Sequence, residues 1–140
     1  MRLSKKSEYA LRALICLGRD PSAMHTIPAI SRSEKIPAKF LEQILLTLRH
    51  ANLVSSRRGA GGGYFLDRTP AKLRVWDVVR IMEEFPAPPG SGQRAGDGGY
   101  SVLDAYLGKL SQDLQALLCK TTLEDLIKLE HQSQSGNFEI

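Results

Sequence analysis

Arg57 and Arg58 stand side by side and are followed by four glycines within five positions, Gly59, Gly61, Gly62 and Gly63. Guanidinium groups fork onto anionic oxygens, and glycines adopt positive φ and leave their N–H groups open, so the group suits contact with an anionic backbone. Val54 before it and Tyr64, Phe65 and Leu66 after it are β-prone, which makes residues 54–66 a hairpin with a basic tip. A dinucleotide loop is disfavoured, because Tyr64 occupies the last glycine position of G-x-G-x-x-G and no helical pattern opens after it. The lysine of a phosphate-binding loop is also missing. A surface hairpin without a ligand is the plain alternative, and what precedes it decides between the two.

Other chemistry is sparse. Cys16 and Cys119 are far apart and match no C-x-x-C spacing, and His25, His50 and His131 make no ligand spacing with either, so no disulfide framework and no metal site is indicated. No Ser/His/Asp, Cys/His or paired-carboxylate arrangement stands out. The expectation is a chain with no catalytic residues and no cofactor.

The 140 residues suit one core with one appendage. Residues 1–80 hold 15 basic and 6 acidic side chains, and residues 81–140 hold 4 and 9. This asymmetry assigns polyanion binding to the first part and another task, such as self-association, to the second. The apolar run 10–18 is interrupted by Arg12 and falls short of the roughly 20 residues of a membrane span. With no secretion signal and no disulfide pattern, the expected location is cytoplasmic, with no membrane partner.

The elements that position these groups follow from apolar periodicity. Tyr9, Ala10, Ala13, Leu14 and Leu17 mark a first helix, with Ser4 or Ser7 as its cap, Gly18 as its stop, and Lys5, Lys6, Glu8, Arg12 and Arg19 on a solvated face. Thr26 caps a short second helix with Pro28 in its first turn, ending near Glu34. Over 37–50, Phe40, Leu41, Ile44, Leu45 and Leu48 form one stripe and leave Lys39, Glu42, Gln43, Leu46, Arg49 and His50 on the other side. Helix, turn, helix and hairpin in this order predict a winged helix-turn-helix over residues 1–85. Leu73 and Val75 are candidates to close the small sheet, and Trp76 is a candidate core residue of the helix that follows.

Residues 86–99, rich in Gly and Pro, read as a flexible loop. Beyond it, Leu103, Leu107, Leu110, Leu114 and Leu117 recur at heptad spacing along one long helix, a seam that needs a partner and favours a second copy of the chain. Thr121 or Thr122 then caps a short terminal helix within residues 100–131, and 132–140 read as a frayed tail. The predicted fold class is mainly α with a small β-wing, plus a long carboxy-terminal dimerisation helix.

Residues 1–4, 9–14, 40–45 and 53–64 together resemble the Rrf-type bacterial transcription regulators, the family of IscR, NsrR and CymR. The match covers residues 1–85 closely and the carboxy-terminal helices more loosely. The resemblance implies a homodimeric winged-helix repressor or activator, taken as a repressor, bound to double-stranded DNA at a palindromic operator. By that resemblance Glu42 and Gln43 are the base-reading pair and Arg58 is the wing arginine of the minor groove. A carboxylate accepts from the cytosine amino group and a glutamine pairs with adenine, so the chemistry agrees. Lys39, Arg49, Ser56, Arg57 and the amides of Gly61, Gly62 and Gly63 are then phosphate contacts. Leu46 on this face has no assigned role beyond touching the wing or a thymine methyl.

The chain also departs from the family. Cluster-binding members carry three cysteines in the loop before the long helix, and that loop here has none. Glu8 stands near an additional carboxylate ligand of some relatives, but cannot replace the thiolates. An ordinary iron-sulfur sensor is disfavoured, and the effector is left as a small molecule, a partner protein, thiol oxidation or none. Two alternatives stand beside this reading: a cluster or thiol redox sensor with unusual ligands, Cys119 being the candidate thiol, and a winged-helix module that binds an acidic protein.

Overall fold

Ser4 caps α1, Lys5–Arg19, its hydroxyl accepting from the Ser7 amide at 3.2 Å. The structure, a computed structural model, describes residues 2–83 and 101–134. Ala10, Ala13, Leu14 and Leu17 recur at helical spacing and are buried along one side of α1. Gly18 does not stop the helix as expected. It is buried within the last turn, where an added Cβ would lie 2.7 Å from Ile127 Cδ1 and 3.3 Å from Leu123 Cδ2, so its role is to let a carboxy-terminal helix approach.

Thr26 caps α2, Ile27–Glu34, by accepting from the Ala29 amide, and Lys35 ends it in the left-handed region at φ 55°. After Pro37 the chain enters α3, Ala38–His50, whose Leu41, Ile44, Leu45 and Leu48 are buried. Phe40 is half-buried, with its ring edge-on to Tyr9 at 5.6 Å. Asn52, at φ 61°, turns the chain into β1, Val54–Arg57, which pairs antiparallel with β2, Gly63–Leu66. The register sets Val54 against Leu66 and Arg57 against Gly63.

Leu73 and Val75 do not close this sheet. The free edge of β2 is met by His25 from the loop before α2, which forms a bridge with Tyr64. The backbone around Leu73 finds its partners elsewhere: the Val75 amide donates to the Thr121 carbonyl at 2.9 Å, and the Leu123 amide donates to the Leu73 carbonyl at 2.7 Å. Buried backbone groups require such partners, and this pairing fastens the carboxy-terminal region to the first domain.

A 3₁₀ turn at Pro70–Lys72 leads to α4, Val75–Met82. Its buried stripe is Val75, Val78, Val79 and Met82, so Trp76 lies about 100° from Val75 around the helix and is half-buried rather than a core residue. Glu83, just after α4, accepts from the Ser4 amide at 2.9 Å and the Ser7 hydroxyl at 2.8 Å. These bonds, with the Ser4 contribution largest, hold its carboxyl below the usual range.

Helix α5, Val102–Leu118, opens with a capping box between Ser101 and Asp104. Helix α6, Leu123–Gln134, opens with a second box, Thr122 with Asp125, and runs past position 131, where the sequence suggested an end. Leu123 is wholly buried in the common core. The expected loop at 86–99 and the last six residues of the expected tail lie outside the described residues.

Candidate nucleic-acid interface

Helical periodicity divides α3 into two uses. While Leu41, Ile44, Leu45 and Leu48 anchor it, Lys39, Glu42, Gln43, Leu46, Arg49 and His50 are all exposed on the opposite side. Among the described residues Glu42 makes no ion pair with Lys39 or Arg49, which leaves its carboxylate open to an outside donor. Arg49 turns instead toward the wing, donating from Nη1 to the Ser56 hydroxyl at 3.2 Å. The end of the helix and the first wing strand thus share a hydrogen bond, with Arg49 exposed and Ser56 half-buried.

The wing tip is built by glycines with different duties. Gly59 and Gly61 take φ of 96° and 75° in open space, and the Gly62 amide closes the turn onto the Gly59 carbonyl at 3.0 Å. Gly62 and Gly63 are sites of close backbone approach: a Cβ at the former would lie 2.2 Å from the Arg57 carbonyl oxygen, and at the latter 2.6 Å from that of His25. Arg57, Arg58 and Gly61 are exposed, whereas Gly62 and Gly63, expected to offer their amides to phosphate, are half-buried, the Gly62 amide being spent on the Gly59 carbonyl and Gly63 lying in the strand ladder opposite Arg57.

His25 escaped the sequence reading. Its amide donates to the Tyr64 carbonyl at 3.0 Å and its carbonyl accepts from the Tyr64 amide at 2.7 Å, tying the wing to the entrance of α2. The signal that could have found it is Gly63, since a glycine inside a strand marks close approach of another backbone. Arg19 is exposed, as its place on the charged face of α1 predicts, but it is not free there. It donates to Glu34 at the end of α2, at 2.6 Å, and through two nitrogens to Glu130 of α6, the Nε bond being 2.8 Å long. Its guanidinium is held charged chiefly by Glu130, which in turn lies below the usual carboxylate range because of Arg19. Glu8 pairs with Arg12 at 2.8 Å and with Lys5 at 3.4 Å.

The heptad seam stands on the surface of α5. Leu103, Leu107, Leu110 and Leu117 are exposed and Leu114 is half-buried, so α5 does not hide this stripe against its own domain. Val102 and Tyr106, absent from the predicted seam, widen it with 89% and 60% of their surface open. Cys16 is buried in the core face of α1, where burial pushes its thiol upward, and Cys119 caps the end of α5. Among the described residues no group of three or more His, Cys, Asp or Glu converges as metal ligands, and no helix is long and apolar enough to cross a membrane.

The family model described as Rrf2, iron-dependent transcriptional regulator, matches residues 3–129. The transcriptional regulator IscR of Cereibacter sphaeroides is 32% identical over 138 residues, covering 93% of this chain and 89% of its own. IscR of Xenorhabdus nematophila is 33% identical, covering 91% and 80%. Among solved structures, IscR of T. potens superposes with a TM-score of 0.78 at 27% identity, over 96% of this chain and 91% of that one. CymR, the global cysteine regulator of B. subtilis, gives 0.72 at 27% identity, over 91% and 97%. These proteins are regulators rather than enzymes, and the helix-turn-helix and wing described above account for the likeness. With nearly its whole length matched, the chain belongs to the Rrf2 family and is a DNA-binding transcription regulator.

Proposed function

We propose that the chain acts as a cytoplasmic homodimer that represses transcription from an imperfectly palindromic operator, without a conventional iron-sulfur cluster. The observation that carries this reading is the exposed polar face of α3 beside the exposed Arg57 and Arg58 of the wing. In this arrangement α3 enters the major groove, where Glu42 accepts from a cytosine amino group and Gln43 pairs with an adenine. Arg58 enters the neighbouring minor groove, where a narrow A·T tract concentrates negative potential. Lys39, Arg49, Ser56, Arg57 and the amide of the exposed Gly61 hold phosphates and set the register. The open leucine stripe of α5 supports pairing with a second copy, and a two-fold dimer reads half-sites about one helical turn, or a multiple, apart.

The donors present do not fit a conventional cluster. Iron-sulfur iron needs several thiolates, residues 84–100 contain no cysteine, and burial of Cys16 favours the neutral thiol.

Enrichment of duplexes from a random pool, followed by titration, tests the assignment. Gln43→Ala or Glu42→Ala is expected to cost about 1 to 3 kcal/mol on the enriched site and to relax base preference there. Arg57→Ala is expected to weaken all sequences alike and to flatten the salt dependence by about one phosphate contact. Equal losses from Gln43→Ala on enriched and random duplexes would remove Gln43 from base reading.

A further inference from the structure

Among the described residues, the large apolar side chains left exposed lie on α5 and α6, with one exception. Leu46, in the middle of α3, is 46% exposed. Its neighbours on that face are polar: Glu42 and Gln43 one turn before it, Arg49 and His50 one turn after it, all exposed. Residues three and four apart on a helix share a face, so Leu46 stands between the base-reading pair and the arginine that joins α3 to the wing. An isolated exposed leucine is ordinary on a general surface. This one occupies the centre of the face that α3 offers to DNA.

The major groove offers base edges of known chemistry. They carry hydrogen-bond donors and acceptors and a single apolar group, the 5-methyl of thymine. Set against any other edge, Leu46 would strip water from a polar atom and give it no partner, which is unfavourable. Set against the methyl, it removes apolar surface from water on both sides.

We propose that Leu46 is a specificity-determining residue that selects thymine through its 5-methyl group, within the same half-site read by Glu42 and Gln43. The assignment rests on the operator reading above and extends it with an apolar contact. It divides the reading face by chemistry: a carboxylate for cytosine, an amide for adenine and an isobutyl group for thymine.

The test uses the full chain and the duplex it enriches from a random pool. Each thymine is replaced singly by deoxyuridine, which deletes only the methyl. For the unaltered protein, one thymine per half-site is expected to lose about fourfold in affinity on replacement, the ratio that corresponds to ~0.8 kcal/mol for one buried CH₂-sized group. Leu46→Ala and Leu46→Gln, both at an exposed position, are expected to melt like the parent, to bind the thymine duplex more weakly, and to show no response to deoxyuridine at that position. The assignment is overturned if no thymine responds, or if Leu46→Ala responds as strongly as the parent. A uniform loss on thymine and deoxyuridine duplexes would overturn it too, and would place Leu46 against the wing. Failure to enrich any sequence brings down the operator reading itself, whereas an enriched site that Gln43→Ala relaxes, with no responsive thymine, brings down only the role of Leu46.

Discussion

Gly62 and Gly63 show how single residues shape the wing. Neither can accept a Cβ without moving backbone, since the obstructing atoms are the carbonyl oxygens of Arg57 and His25. Gly61 has open space around it and only a positive φ to maintain. Gly61→Ala is therefore expected to cost about 1 kcal/mol of stability, the scale of left-handed strain. Gly62→Ala and Gly63→Ala should cost about 2 to 3 kcal/mol or displace the hairpin, with a larger loss of DNA affinity. Urea unfolding beside duplex titration checks this, and equal behaviour of Gly61→Ala and Gly62→Ala would refute the close-approach account. The run of glycines was legible in the sequence as a tip. That two of them answer to neighbouring backbone depended on where Arg57 and His25 came to rest.

At the scale of elements, Arg19 joins α1 to α2 and α6 through Glu34 and Glu130. These side chains are partly exposed, so screened ion-pair values apply, and Arg19→Met is expected to destabilise by about 1 to 2 kcal/mol for the two pairs together. The loss should shrink in high salt. Thermal melts at low and high ionic strength measure it. Glu130 and Glu83 both have folded carboxyls below their ordinary range, held down mainly by Arg19 and by Ser4. Their contribution is complete above the unfolded carboxylate pKa, about 4.3, and is lost as pH falls through the lower folded values. Melting temperature should accordingly drop from pH 5 to 3, and Glu83→Gln, less stable than the parent at neutral pH, should show a smaller drop. A Glu83→Gln profile parallel to the parent would contradict this role. None of these pairings was readable from spacing, because the partners are separated by up to 111 positions.

For the whole molecule, the charge division and the α5 stripe point in one direction. The basic part holds the helix-turn-helix and the wing, and the acidic part presents apolar surface on a helix that its own domain does not cover. Leu107→Asp with Leu110→Asp places two charges in that stripe and is expected to give a monomer by light scattering, with the winged domain still folded. Such a monomer should bind a full operator no better than an isolated half-site. An intact dimer after both substitutions would move the association surface elsewhere.

The helices, the wing and the exposed side of α3 were determined by local pattern, since caps, apolar spacing and glycine content act over a few residues. The family followed from the motifs in the same stretches. The tertiary structure decided the long-range pairings: His25 beside Tyr64, Leu73 with the segment entering α6, Gly18 beneath Ile127, and Arg19 between two distant carboxylates. It also decided that Trp76 stays half-buried and that Leu46 and, on α5, Leu103, Leu107, Leu110 and Leu117 remain open. Periodicity tells which side chains share a face. Which faces meet depends on contacts between segments far apart in the chain, where backbone partners and close approach, rather than residue type alone, select the arrangement.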